Sequence, residues 1–267
     1  MAAMSAIVSG VKLAVLSWGG EDLPGTAVLV HGITSNARSW ARVAEALVGR
    51  GYRVLAPDLR GHGRTGPGDR AYGFRDLEAD LAESLPCEPD VLIGHSLGGI
   101  LSLLAVTDGL LKPRRLVLED PAIVLPSKDS AERYVASSRT QPTTSEAILA
   151  ANPSWRVEDA EAKAEALAAL DWDDMRLLME GNAPWDGRSR LADLVGLRIP
   201  TLLILAGPSD LVPPAEARRA EAILGPGSTV VVNGAGHSVH RDALPRFLAA
   251  LFAWLDRPAP LPASASA

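Results

Sequence analysis

The sequence contains a single cysteine, Cys87, among 267 residues. One cysteine excludes a disulfide framework within the chain, and no cluster of cysteine and histidine ligands surrounds it. It lies beside Pro86 in a predicted loop, where we interpret it as a structural thiol. Stability must then come from a packed apolar core, which a chain of this length with 47% hydrophobic residues can form.

Blocks of like charge and long apolar runs are also missing. The formal net charge is −6 without a basic stretch, which argues against a nucleic-acid or anionic-lipid partner. No run reaches membrane-spanning length, and Met1–Gly10 lacks the basic and apolar regions of a secretory signal. We expect a cytoplasmic monomer or homodimer whose partner is a small, neutral or weakly charged molecule, with no nucleic acid or membrane involved.

Short apolar runs alternate with helix-like stretches over much of the chain, which predicts an α/β fold with a mostly parallel sheet. The runs are continuously apolar, so we expect helices to cover both faces of the sheet. The predicted strands are Lys12–Ser17, Ala27–Val30, Tyr52–Ala56, Val91–Ile93, Arg115–Leu118, Pro200–Leu205 and Ser228–Val232.

A change of composition after Asp120 predicts an inserted segment. The following region is charged and rich in alanine, has no strand pattern, and includes a strongly helical stretch, Glu158–Asp171. We therefore predict a core formed by residues 1–120 and 191–257, a helical cap over residues 121–190, and a flexible C-terminal tail, 258–267, which is rich in Pro, Ala and Ser.

A sharp turn is predicted at Gly94-His95-Ser96-Leu97-Gly98, between an apolar strand and a helix. This strand-turn-helix context is typical of a nucleophile elbow, in which small residues two positions before and after the serine relieve crowding. Ser96 is therefore the predicted nucleophile. The N–H of Leu97, at the positive end of the helix dipole, is a predicted donor to an oxyanion.

A serine nucleophile needs a base, and His237 is the predicted one. It lies in the loop Asn233-Gly234-Ala235-Gly236-His237, directly after the last predicted strand. Loops at the carboxyl ends of parallel strands are where α/β proteins bind ligands. The remaining histidines belong to other motifs or to the final helix; they are His31, His62, His95 and His240.

Two aspartates are candidates for the acid that orients this histidine. Asp210 follows a predicted strand, and the chain order Ser96, Asp210, His237 is typical of hydrolases with such an elbow, so we prefer it. Asp120 also ends a strand and is the alternative.

The loop Val30-His31-Gly32-Ile33-Thr34 follows another strand and can supply the second oxyanion donor. We predict that this donor is the N–H of Ile33. Gly32 allows close approach of the backbone, and His31 is expected to brace the loop through hydrogen bonds. The loop from Asp58 to Gly63 is interpreted as scaffold.

Taken together, the His31-Gly32 loop, Asp58–Gly63, the Ser96 elbow, Asp210 and His237 resemble the α/β-hydrolase family over residues 11–256. The resemblance implies a mostly parallel sheet of about eight strands flanked by helices, with the cap over the active site. It also implies no cofactor and no metal. Ser96 stands where haloalkane dehalogenases and epoxide hydrolases have an aspartate, which argues against both chemistries.

The predicted function is hydrolysis of a small, rather apolar carboxylic ester or lactone through an acyl-enzyme. Tryptophans are candidate substrate contacts, although each can equally pack the cap onto the sheet; they are Trp40, Trp155, Trp172 and Trp185. The same triad would serve a carbon–carbon bond hydrolase, a perhydrolase, or a cofactor-free lyase or dioxygenase. An alternative of another class is a ligand receptor that retains the hydrolase pocket and turns over slowly.

Overall fold

A twisted sheet, mostly parallel, organises the protein. The computed structural model describes residues 10–124, 128–182, 189–207 and 209–258. Within these residues the sheet has seven strands in the order β1-β3-β2-β4-β5-β6-β7, and only β1 is antiparallel to its neighbour. The strands are β1 (Val15–Trp18), β2 (Gly25–Val30), β3 (Tyr52–Pro57), β4 (Val91–His95), β5 (Arg115–Glu119), β6 (Thr201–Ala206) and β7 (Thr229–Val232).

The predicted α/β class is confirmed, and each predicted strand is present with ends shifted by a few residues at most. About eight strands were expected, whereas the described residues form seven. The central strands are apolar except near their ends, and both of their faces are buried. β6, for example, is buried at every position.

Helices cover both faces of this sheet. A short 3₁₀ turn (Ala37–Trp40) precedes the first α-helix. The helices of the core are α1 (Ala41–Val48), α2 (Phe74–Ser84), α3 (Leu97–Thr107), α8 (Ala192–Val195), α9 (Pro214–Leu224), α10 (Val239–Asp242) and α11 (Leu244–Leu255). No helix in the described parts of the chain is both long and apolar enough to cross a lipid bilayer.

The side chains of each central strand alternate between two apolar clusters. On β4, Leu92 packs in the cluster with α2, α3, α8 and α9, while Ile93 packs in the opposite cluster with α1 and α11. β5 repeats the pattern with Leu116 and Val117. The sheet is thereby fixed between two helical layers, and its carboxyl edge is left for the loops that carry polar residues.

Among the described residues between β5 and α8, four helices lie within the predicted cap: α4 (Lys128–Arg139), α5 (Ser145–Ala151), α6 (Val157–Ala169) and α7 (Trp172–Gly181). We call them the inserted helices. Helix α6 contacts the core through an ion pair of 2.7 Å between Asp159 and Arg42. The amide of Asn36 also donates to the carbonyl of Ala162 at 3.3 Å. The predicted tail lies, apart from residue 258, outside the described residues.

Gly98 is required by the packing of α3 against β2. A methyl group at this position would overlap the carbonyl oxygens of Val30 and His31, which are backbone atoms that cannot rotate away. We expect Gly98→Ala to lower the free energy of unfolding by about 1–3 kcal/mol through overpacking, measured by urea denaturation. Gly196→Ala is the matched control, because nothing lies within 4 Å of its added methyl group. Equal stability of the two variants would contradict this account.

Candidate active site

Ser96 occupies a strained turn between β4 and α3. Its backbone has φ 53° and ψ −115°, a conformation that few residues with a side chain adopt. Glycines on either side make the turn possible: a methyl group on Gly94 would overlap the carbonyl oxygen of Gly98. The elbow predicted from the sequence is thus present, and Ser96 is presented at the carboxyl edge of the sheet with only 5% of its surface exposed.

The loop after β2 approaches this elbow closely. A methyl group on Gly32 would lie 3.0 Å from the Cβ of Ser96 and 2.9 Å from the Nδ1 of His95, so only glycine fits without displacement. His31 braces the loop as predicted, because its Nδ1 donates to the carbonyl of Gly32 and its Nε2 accepts from the N–H of Leu59. Burial, with the nearby His62, lowers the pKa of His31 to about 3, which keeps the ring neutral.

Two backbone N–H groups next to Ser96 are free to donate. Leu97 is the first residue of α3, so its N–H has no partner within the helix. In the portions of the chain that the structure covers, no acceptor is bonded to the N–H of Leu97 or of Ile33. Their use as an oxyanion hole remains a prediction.

His237 is bonded to a buried carboxylate, and that carboxylate belongs to Asp120. Its Nδ1 donates to the Oδ2 of Asp120 at 2.6 Å. The side chain of Asp120 is 1% exposed and that of His237 is 43% exposed. With the proton on Nδ1, the Nε2 lone pair of His237 is available to accept a proton from another group.

The preferred choice of Asp210 as the partner of this histidine is wrong. Asp210 is exposed, whereas its neighbour Ser209 donates its hydroxyl to the Oδ2 of Asp120 at 3.0 Å. The N–H of Ala206 adds a bond of 3.3 Å to Oδ1. The loop after β6 therefore fixes the acid rather than supplying it. Chain order could not separate the candidates, because both aspartates lie between Ser96 and His237.

Buried hydrogen bonds fix the loop that carries His237 and the start of α10 after it. His95 Nε2 donates to the carbonyl of His237 at 3.0 Å, and the two rings are 4.6 Å apart. Burial, followed by the neighbouring His237 and His240, holds the pKa of His95 well below its usual value, so it acts as a neutral donor. Glu119 accepts from both the N–H and the Nδ1 of His240, which anchors the start of α10.

A cavity of about 330 Å³ opens beside His237. The inserted helices and the core loops line it together, with residues Ile33, Thr34, Ser35, His95, Tyr134, Gln141, Pro142, Ile148, Ala151, Asn152, Trp155, Lys163, His237, Ser238 and Arg241. This volume suits a small molecule.

The four tryptophans proposed as substrate contacts have different positions. Trp155 lines the cavity. Trp40 does not, since it is fully buried and stacks on the ring of His240 at 4.3 Å. Trp172 is also absent from the cavity lining and lies under the guanidinium of Arg139. Trp185 lies outside the described residues.

Sequence reasoning missed two cations in the cavity wall, Lys163 and Arg241. Lys163 lies on α6 and donates to the carbonyl and hydroxyl oxygens of Thr34 at 2.9 and 2.8 Å. Arg241 lies on α10 and donates to the hydroxyl of Ser35 at 3.0 Å. Arg241 could have been considered because it follows the His237 loop, but no motif marks Lys163.

The described residues contain no group of three or more His, Cys, Asp or Glu side chains placed to hold a metal ion. The polar side chains around Ser96 are instead bonded to backbone groups, as the bonds of His31, His95 and Asp120 illustrate.

Comparison with known proteins decides the family. Residues 27–251 match the model of the alpha/beta hydrolase family. The chain belongs to this family. It is accordingly a hydrolase, and its curated relatives include a deformylase and lipases.

One relative of this α/β-hydrolase, an N-formylmaleamate deformylase of Pseudomonas putida, is 29% identical over 260 residues, covering 94% of this chain and 95% of the relative. Among solved structures, an N-formylmaleamic acid deformylase of Pseudomonas putida S16 has a TM-score of 0.68 at 24% identity, covering 89% of this chain and 94% of that one. An enol-lactonase of Burkholderia xenovorans has a TM-score of 0.72 at 19% identity, with 92% and 96% covered. These likenesses establish the fold.

Substitution of each aspartate in turn tests which one orients His237. Asp120→Asn should lower kcat by about 10³- to 10⁴-fold, because an amide disturbs the tautomer of His237. Asp210→Asn is the matched control and should retain near-normal kcat, since Asp210 is exposed. Steady-state turnover of an ester substrate, with circular dichroism as a check of folding, measures both. A large loss in Asp210→Asn alone would refute the assignment.

The pKa of Lys163 provides a test of cavity charge. Burial, followed by the charge of Arg241, lowers this pKa to about 7. Removal of the guanidinium favours the ammonium form, so Arg241→Gln should raise the pKa of Lys163. The other titratable side chains of the cavity wall, His95, Tyr134 and His237, are unchanged in this variant. NMR titration of labelled lysine, assigned with Lys163→Met, measures the shift, and a lower pKa in Arg241→Gln would contradict it.

Proposed function

We propose that this α/β-hydrolase cleaves a carboxylic ester or lactone through a covalent acyl-enzyme on Ser96. The observation that carries the proposal is the 2.6 Å bond from His237 to the buried Asp120, in a sheet that also holds Ser96 in a strained elbow at the end of β4. A buried carboxylate on one nitrogen of a histidine fixes the other as a proton acceptor, which is what a serine hydroxyl needs to become a nucleophile.

The reaction follows from these groups. His237 Nε2 takes the proton of the Ser96 hydroxyl as Oγ attacks the acyl carbon, and Asp120 stabilises the imidazolium that forms. The N–H groups of Ile33 and Leu97 stabilise the oxyanion. The intermediate then expels the alkoxide, which takes the proton from His237. Water, deprotonated by the same histidine, then attacks the acyl-enzyme. The Oγ of Ser96 leaves with the proton returned by His237, which releases the carboxylic acid and restores the free enzyme.

Hydrolysis of an acyl C–N bond is a second candidate. The Pseudomonas putida relative, aligned over 94% of this chain, is named for removal of a formyl group from N-formylmaleamate. The same steps apply when the leaving group is a nitrogen that His237 protonates. A screen of substrates therefore has to contain N-acyl compounds beside esters.

The other candidate functions differ from these in what they require. Carbon–carbon bond hydrolysis needs a ketone as leaving group, a perhydrolase needs hydrogen peroxide, and a lyase or dioxygenase reaction needs no acyl-enzyme. A receptor would bind its ligand tightly and turn it over slowly. Detection of an acyl-enzyme with multiple turnover separates ester or amide hydrolysis from the lyase, dioxygenase and receptor functions.

Turnover of 4-nitrophenyl esters of graded chain length tests the proposal, together with intact-mass detection of a fluorophosphonate adduct. We expect wild-type protein to release 4-nitrophenol and gain one adduct. Ser96→Ala should lose both, with a fall in kcat of about 10³-fold or more. Ser137→Ala, which changes an exposed serine on α4, is the matched control and should behave as wild type. An adduct that persists in Ser96→Ala would overturn the assignment.

A further inference from the structure

The cavity next to His237 has an unbalanced charge. Two cationic side chains, Lys163 and Arg241, belong to its wall, and none of the residues lining it is an aspartate or glutamate. Arg241 is buried and Lys163 is half-buried, and a cation that forms no ion pair in such a place is costly, because the interior solvates charge poorly. The pair therefore points to a ligand that brings negative charge.

Arg241 has most of its hydrogen-bonding capacity unused. Its side chain is 3% exposed, yet the hydroxyl of Ser35 is the one acceptor bonded to its guanidinium in the resolved ranges of the chain. Its Nε is buried without any acceptor. One face of the guanidinium lies over the ring of Trp155, 4.8 Å from the centroid, which fixes its plane. A planar group with free N–H donors is suited to a carboxylate.

The three carboxylates whose charges act on Arg241 are bonded to other groups. Glu119 accepts from His240, and Asp159 forms the 2.7 Å ion pair with Arg42. Asp242 accepts from the indole N–H of Trp155 at 2.6 Å. These three charges moderate the lowering of the Arg241 pKa by burial, to about 10, but across the described ranges none forms an ion pair with the guanidinium.

Lys163 reaches the same cavity from the inserted helices. Its ammonium is bonded to two oxygens of Thr34, both uncharged, and no carboxylate in the parts of the chain described lies within ion-pair distance. The two cations thus reach the same cavity from different helices, Lys163 from α6 and Arg241 from α10.

We infer that the substrate carries a carboxylate away from its scissile acyl group, and that Arg241 and Lys163 together bind this carboxylate. The inference rests on the proposed acyl hydrolysis at Ser96 and adds a substrate class, the half esters, lactones or N-acyl derivatives of small carboxylic acids. The guanidinium supplies its free N–H groups to the carboxylate oxygens, and the ammonium supplies the second positive charge. The rather apolar substrate expected from composition is replaced by an anionic one.

A matched pair of esters measures this preference. 4-Nitrophenyl hydrogen adipate carries a carboxylate, and 4-nitrophenyl adipamate has a neutral amide of nearly the same shape. We expect wild-type kcat/KM to favour the acid by about tenfold or more, mainly through KM, as for a charged hydrogen bond. Arg241→Gln and Lys163→Met should each lose most of this ratio.

Arg38→Gln is the control variant, because Arg38 is an exposed cation that pairs with Glu165 of α6 and does not line the cavity. It should keep the wild-type ratio. Lys163→Met, on an inserted helix, keeps the test valid if Arg241→Gln fails to fold. Equal kcat/KM for the acid and the amide in wild type would overturn the inference. So would an unchanged ratio of these two values in Lys163→Met.

Binding to Ser96→Ala separates the anion site from the chemistry. Calorimetry should show that methyl hydrogen adipate and adipate bind this inactive variant at least about tenfold more tightly than dimethyl adipate does. Inorganic phosphate binding more tightly than either acid would contradict a carboxylate site. If wild type cleaves no acyl substrate but Ser96→Ala still prefers the acids, the proposed function fails and the anion site stands. If esters are cleaved without preference for the acid, the anion site fails and the proposed function stands.

Discussion

The bond between Asp120 and His237 is the constraint on which the site depends. Asp120 closes β5, between the elbow strand β4 and the strand β6. It can hold the histidine because Ala206 and Ser209, both from the end of β6 or its following loop, fix its two oxygens. The carboxyl ends of β5 and β6 are in this way joined to the loop after β7, so the position of His237 is set by the sheet.

Local signals in the sequence were sufficient for the elbow. Strand, glycine, serine, glycine and helix follow one another within residues 91–107, so the geometry of Ser96 is determined by neighbours along the chain. The choice between Asp120 and Asp210, in contrast, could not be made from local signals. Both follow strands and both satisfy the same chain order, and what separates them is the tertiary placement of Ser209 under the carboxylate. No pattern of spacing contains that information.

The cavity also could not be predicted from the sequence, because its wall is formed by segments that are far apart in the chain. Trp40 and Trp155 look equivalent as residues, yet one stacks on His240 inside the core and the other faces the cavity. In the sequence, Lys163 is one more charged residue on an amphipathic helix. Only the packing of α6 on the core brings its ammonium to the hydroxyl of Thr34. The tryptophans of the predicted cap therefore suggested an apolar pocket, whereas the docked helices place Lys163 and Arg241 in its wall.

His237 and Arg241 belong to one short stretch of chain, since Arg241 lies on α10 immediately after the histidine loop. Lys163 belongs to a different segment, α6, which carries no residue of the proposed triad. Arg241 therefore varies within the same short stretch that carries His237, whereas Lys163 can vary independently of it. Descendants of this enzyme that adopt new substrates are expected to diverge first on α6, where specificity can drift while the reaction is conserved.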